Sequence, residues 1–114
     1  MSTHLITSHG ADFFGQDRHQ IPALISLAGY AQGVLPATDR RHLVDLLEHA
    51  ADGQSIAPAT AAILADQLLR ISRHRFLPAK MSATARTLAD AAARAAIDGQ
   101  PWTWTATIET EIAA

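Results

Sequence analysis

The sequence predicts a mainly α fold: a compact bundle of about four helices, with a small two-stranded β ribbon pairing the N- and C-terminal segments. Three observations lead there. Apolar residues recur at helical spacing over four stretches, each bounded by proline or glycine. Alanine supplies much of the 48% hydrophobic content and favours helix. The tail then changes period, with Trp102, Trp104, Ala106 and Ile108 alternating with Thr103, Thr105 and Thr107, as a half-buried strand does. At 114 residues the chain is expected to form a single domain over 1–114.

The first helix is expected from about Ile21 to Gln32, with Ile21, Leu24, Ile25, Ala28 and Ala31 on one face and Pro22 in the first turn. The second begins near Thr38 as N-cap, buries Leu43, Leu46, Leu47 and Ala50, and closes at Gly53. The third runs from Pro58 to Ser72 or Arg73, and Pro78 forbids its continuation. The fourth spans Ala79 to Ile97, with Gly99 beyond its end. Its apolar stripe is mostly alanine, which lets a neighbouring helix approach closely. The short run His4-Leu5-Ile6-Thr7 is the expected partner of the C-terminal strand.

With no cysteine there is no disulfide, thiolate nucleophile or cysteine-based zinc site, as in a reducing cytoplasm. No apolar run is long enough to span a membrane, and the N-terminus lacks the features of a signal peptide. Cytoplasmic localisation follows as an expectation. The modest core is compatible with homo-oligomerisation. The net charge of −2 hides a segregated pattern. Residues 1–66 carry three bases and seven acids, residues 67–89 five bases and no acid, and residues 90–114 one base and four acids.

The loop Ser8-His9-Gly10-Ala11-Asp12-Phe13-Phe14-Gly15 is the stretch least explained by packing. Its adjacent aromatics either plug a core or meet a partner. His4, His9, Asp12 and His19 could converge there, although nothing in their spacing requires it. Ser8 and His9 do not read as a catalytic pair, because adjacent residues rarely face each other and no orienting acid is identifiable. His42, Asp45 and His49 share one edge of the second helix, but two histidines seven apart lie about 10 Å apart along the axis, too far for one ion. No metal or other cofactor is expected, and familiar catalytic motifs are absent. The basic band Arg70, Arg73, Arg75, Lys80 and Arg86 fits either a charged ligand or simple complementation of a helix C-terminus.

The run from Ser8 to Gly15, together with Val34-Leu35-Pro36-Ala37-Thr38-Asp39-Arg40-Arg41 and Pro101-Trp102-Thr103-Trp104, resembles a family of small uncharacterised actinobacterial proteins of Streptomyces type. The resemblance extends to Trp104, leaving residues 105–114 as an addition. It implies bacterial cytosolic origin and transfers no catalytic residue. The leading functional expectation is a small non-enzymatic interaction module, an adaptor, regulator or mobile-element-type inhibitor. It would bind a protein partner through His9, Asp12, Phe13 and Phe14 and through Arg70, Arg73, Arg75 and Lys80. The alternative is a nucleic-acid-associated regulator using the basic band at residues 70–86.

Overall fold

Proline opens and glycine closes much of the helical structure. The computed structural model describes residues 2–10 and 15–109. Helix α1 (Ile21–Val34) has proline in its first turn, where a missing N–H leaves no bond unmade. Helix α2 (Ala37–Glu48) follows Pro36, which takes the N-cap position expected of Thr38. A 3-10 turn at Ala50–Asp52 then stops at Gly53, whose φ is 75°. Helix α3 (Pro58–Ser72) ends at Arg73. Helix α4 (Ala79–Asp98) follows Pro78 and is closed by left-handed Gly99, whose N–H donates to the Ala95 and Ala96 carbonyls.

The sheet overturns the expected fold class. Strands β1 (Ser2–Ser8), β2 (Gln16–Gln20), β3 (Gln54–Ile56) and β4 (Trp102–Glu109) form one antiparallel sheet in the order β2-β1-β4-β3. The fold is therefore mixed α/β, not a mainly helical bundle carrying a two-stranded ribbon. The terminal strands pair from Ser2 opposite Glu109 to Thr7 opposite Trp104, but as the central pair of four. Residues 105–109 thus continue a central strand. The sequence hides the outer strands for physical reasons. Gln16-Asp17-Arg18-His19-Gln20 lacks apolar alternation and is held by pairing with β1, while β3 has only three residues. Short, polar edges also discourage pairing with other chains.

One face of the sheet meets the core. Leu5, Thr7, His19, Ile56, Trp102 and Trp104 are buried, while Gln16, Arg18, Gln20, Ser55, Thr103 and Thr105 are exposed on the other side. This is the ordinary division of an antiparallel sheet with one solvated face. Trp102 and Trp104, two apart on β4, form an edge-to-face pair with centroids 5.2 Å apart and planes at 88°. Against this bulk, α4 buries Ala85, Leu88, Ala89, Ala92 and Ala95, and α3 buries Ala61, Leu64, Leu68 and Ile71. The small side chains allow α3 and α4 to pack along their length.

Some polar atoms on the inner face are costly. Thr7 Oγ1, His19 Nε2 and both indole N–H groups are buried without a hydrogen-bond partner. Burial pushes the His19 pKa below its usual value of 6.5, and the charge of Asp17 only partly restores it. The unfolded chain therefore takes up this proton first as pH falls through about 6.5, so stability declines toward acid. His49 has the opposite sign: its raised pKa adds stability below 6.5 that is lost as pH climbs through the folded value. Urea midpoints at pH 7.5 and pH 5.5 should show a smaller acid loss for His19→Leu than for the wild type. Trp102→Ala should remove about 3–5 kcal/mol in the same assay at pH 7.5, because the helices cannot collapse fully onto the space left.

Candidate functional site

Two surfaces bring polar or aromatic side chains together at opposite ends of α4. The first is the corner joining α3 to α4. Its path is set by Leu77, which is buried, by Pro78 at the α4 N-cap, and by the Leu77 N–H donating to the His74 carbonyl at 3.1 Å. Phe76 is left 72% exposed. His74 lies beside it with ring centroids 5.5 Å apart, and the Arg75 guanidinium sits 4.7 Å above its ring centroid. Facing this loop, α1 contributes Gly29, Tyr30, Gly33 and Val34 to a groove of about 260 Å³, which His74, Phe76 and Leu77 complete.

Gly29 and Gly33 are four residues apart and share a helix face. A Cβ added at either would meet nothing within 4 Å, so the two glycines leave the groove open on that side. Arg73, Arg75 and Lys80 are exposed around the corner. Arg70 lies one turn back on α3 and is tied to Asp66 at 3.8 Å, which reduces its share in the positive surface. The first turn of α4 carries no acid and no side-chain cap, so its helix dipole adds to the positive potential.

The second surface is an open cleft of about 500 Å³ lined by Ser8, His9, Gly10, Gly15, Gln16, Arg94 and Asp98. Here β1 leaves the sheet. Beyond the Thr7–Trp104 pair, the Thr103 N–H donates to Ser8 Oγ at 2.8 Å, so a side chain takes the place of a backbone carbonyl. His9 has φ of 61°, a conformation uncommon outside glycine. That turn brings Ser8 Oγ within 2.8 Å of His9 Nδ1, and His9 Nε2 within 2.8 Å of Gln100 Oε1. Asp98 Oδ2 stands 3.9 Å from the same nitrogen, and Arg94 Nη1 donates to the His9 carbonyl at 2.8 Å. Adjacent residues rarely face each other, but Ser8 and His9 do so here. Sequence offers no signal for Arg94, Asp98 and Gln100, which lie more than 80 positions away; Arg94 and Asp98 come from the C-terminal end of α4 and Gln100 from just past the Gly99 turn.

The other candidates separate. His19 is buried on the inner face, His4 belongs to the outer face of β1, and His9 sits past the strand end, so the three histidines do not converge. Asp12, Phe13 and Phe14 lie outside the described residues. His42, Asp45, His49 and Asp52 border a shallow polar depression of about 360 Å³. There the His49 ring bonds to the Asp45 carbonyl at 2.9 Å, and this bond, with nearby acids, raises the His49 pKa. Among the described residues, no three His, Cys, Asp or Glu side chains are placed to hold a metal ion. No described helix is long and apolar enough to cross a membrane.

Gly10 holds the cleft's geometry. Its N–H donates to the Gly15 carbonyl at 3.0 Å, and a Cβ there would overlap the Gln16 carbonyl carbon and the Asp17 nitrogen. Gly10→Ala should therefore cost about 1–3 kcal/mol in urea unfolding, since backbone rather than a flexible side chain must move.

Residues 10–105 match the family described as Domain of unknown function (DUF7739). No curated protein and no solved structure matches the chain. With that match spanning most of its length, the chain belongs to the DUF7739 family.

Proposed function

We propose that the protein is an interaction module whose α3–α4 corner docks an acidic segment of a protein partner, with an aromatic or aliphatic anchor seated in the groove beside Phe76. The carrying observation is the open groove itself. An exposed phenylalanine faces a helix that keeps Gly29 where nothing fills the space, and cations surround both. An exposed aromatic beside a pocket is the usual form of an interface hot spot. Arg73, Arg75 and Lys80 supply the complementary charge, and an adaptor, regulator or inhibitor role follows from such docking. This moves the partner surface away from the Gly10–Gly15 loop. Eight arginines against one lysine support a GC-rich bacterial genome, and the absence of cysteine a reducing cytoplasm, as the setting.

The groove favours a protein partner over nucleic acid. Phosphate recognition needs the cations but has no use for an apolar slot, whereas an amphipathic peptide uses both. Selection from a random peptide display library should recover sequences rich in Asp and Glu around a Leu, Phe or Trp. Their binding should weaken with salt and fall about 10-fold or more for Phe76→Ala. Recovered peptides without acidic enrichment, binders indifferent to Phe76→Ala, or tighter binding of duplex or single-stranded oligonucleotides would each overturn the reading.

Gly29 gives a second handle. A mid-helix glycine is less stable than alanine by about 0.5–1 kcal/mol, and the added methyl group enters open space. Gly29→Ala should raise the thermal midpoint while weakening the selected peptides. A variant that gains stability and keeps full affinity would separate the groove from binding.

A further inference from the structure

We propose that Ser8 is a nucleophile activated by His9, and that the cleft at the end of β1 hydrolyses small carboxylic esters. The inference goes beyond partner docking and is independent of it. The cleft lies at the C-terminal end of α4, a 20-residue helix about 30 Å long whose other end carries the docking corner. The expectation of no enzymatic activity rested on absent linear motifs, on the adjacency of Ser8 and His9 and on the lack of an orienting acid in the sequence, whereas this constellation is assembled in space.

The proton positions follow from the surroundings. Gln100 presents its carbonyl oxygen to His9 Nε2, and the Asp98 carboxylate stands 3.9 Å from the same nitrogen. Both favour a hydrogen on Nε2, which leaves Nδ1 as an acceptor. The contact at 2.8 Å is then Ser8 Oγ–H donating to His9 Nδ1. A nucleophile hydrogen-bonded to a base that is itself oriented by a third group is the recurring arrangement of serine catalysis. The left-handed backbone at His9 places both side chains on one side of the chain despite their adjacency. Ser8 and His9 are half-buried at the wall of an open cleft, so a substrate can reach them.

The chemistry closes with water as the only co-reactant. Ser8 Oγ attacks the ester carbonyl carbon while its proton passes to His9 Nδ1, giving an imidazolium stabilised by Asp98. The tetrahedral intermediate expels the alcohol, which takes the proton from Nδ1 and leaves an acyl-Ser8. Water then attacks the acyl carbon, losing its proton to Nδ1, and the acid departs as the proton returns to Oγ. The Thr103 N–H on Oγ steadies the oxygen as charge develops. It also lowers the oxygen's resting nucleophilicity, so activated esters are the expected class. The other N–H groups of Arg94, on the cleft wall, offer a site for the carbonyl oxygen as it becomes an oxyanion.

The test uses the full chain with p-nitrophenyl acetate and, separately, an alkyl fluorophosphonate, read by nitrophenol release and by peptide mass mapping. Release should continue beyond one equivalent, and the phosphonyl adduct should map to Ser8 and be lost in Ser8→Ala. His9→Asn, chosen because asparagine tolerates the left-handed backbone, should slow adduct formation about 100-fold or more. Asp98→Asn is exposed and so spares the fold, and it should slow the reaction with an altered pH profile. Absence of a Ser8 adduct on folded wild type overturns the proposal. So does an adduct rate unchanged in both His9→Asn and Asp98→Asn.

Discussion

The structure depends on β4. Among the described strands it alone touches both β1 and β3, so the order β2-β1-β4-β3 exists because β4 lies between them. Its two tryptophans are the largest fully buried side chains of the described residues. They reach the same face because strand periodicity is two, and their edge-to-face contact holds that face in one arrangement. The cost is visible in the two buried indole N–H groups. Burial of so much aromatic surface outweighs unsatisfied donors worth about 1–3 kcal/mol each. Among the described residues, a core built otherwise from leucine, isoleucine, valine and alanine has no other side chains of that size to take over the role.

The second organising element is α4. Its alanine-lined face accepts α3 closely, while its two ends do different things. The N-terminal end follows Pro78 and joins a positive, aromatic corner. The C-terminal end, through Arg94, Asp98 and the Gly99 turn to Gln100, reaches back to the residues that follow β1. The same turn starts β4. A single helix therefore sets the distance between the docking corner and the Ser8 cleft, and the strand after it sets the register of the sheet on which Ser8 stands.

How far these features were legible in the sequence follows from their range. The helices and most of their limits are local: Pro22, Pro58 and Gly99 act within a turn, and the observed bounds lie close to the expected ones, except that α2 stops at Glu48 and leaves Ala50–Asp52 and Gly53 to a separate 3-10 turn. The tryptophan alternation is local too. The sheet is not. Gln16–Gln20 has no strand pattern of its own and is a strand only because β1 offers it hydrogen bonds. The fold class was misread on that account. The basic band was legible as composition, but its groove depends on α1 meeting the 73–78 loop, which no spacing records. Ser8 and His9 were visible as neighbours, whereas their mutual orientation depends on one left-handed residue and on Gln100 arriving from the far end of α4.

Places where local rules are broken separate the working ends from the scaffold. Sequences that specify one fold keep propensity, pattern and packing in agreement, and exceptions concentrate where something other than stability was selected. Gly29 weakens a helix at the groove, and Phe76 remains in water beside it. His9 adopts a backbone that favours glycine, and an arginine side chain holds its carbonyl. None of these departures helps α3 pack on α4 or the sheet bury its tryptophans, because each lies at an end of the molecule. The buried polar atoms of Thr7, His19 and the tryptophans differ in kind: they lie inside, on the core-facing side of the sheet. The first group coincides with the two surfaces proposed for contact and for chemistry. The second is the consequence of making a small core from two large indoles and a narrow sheet.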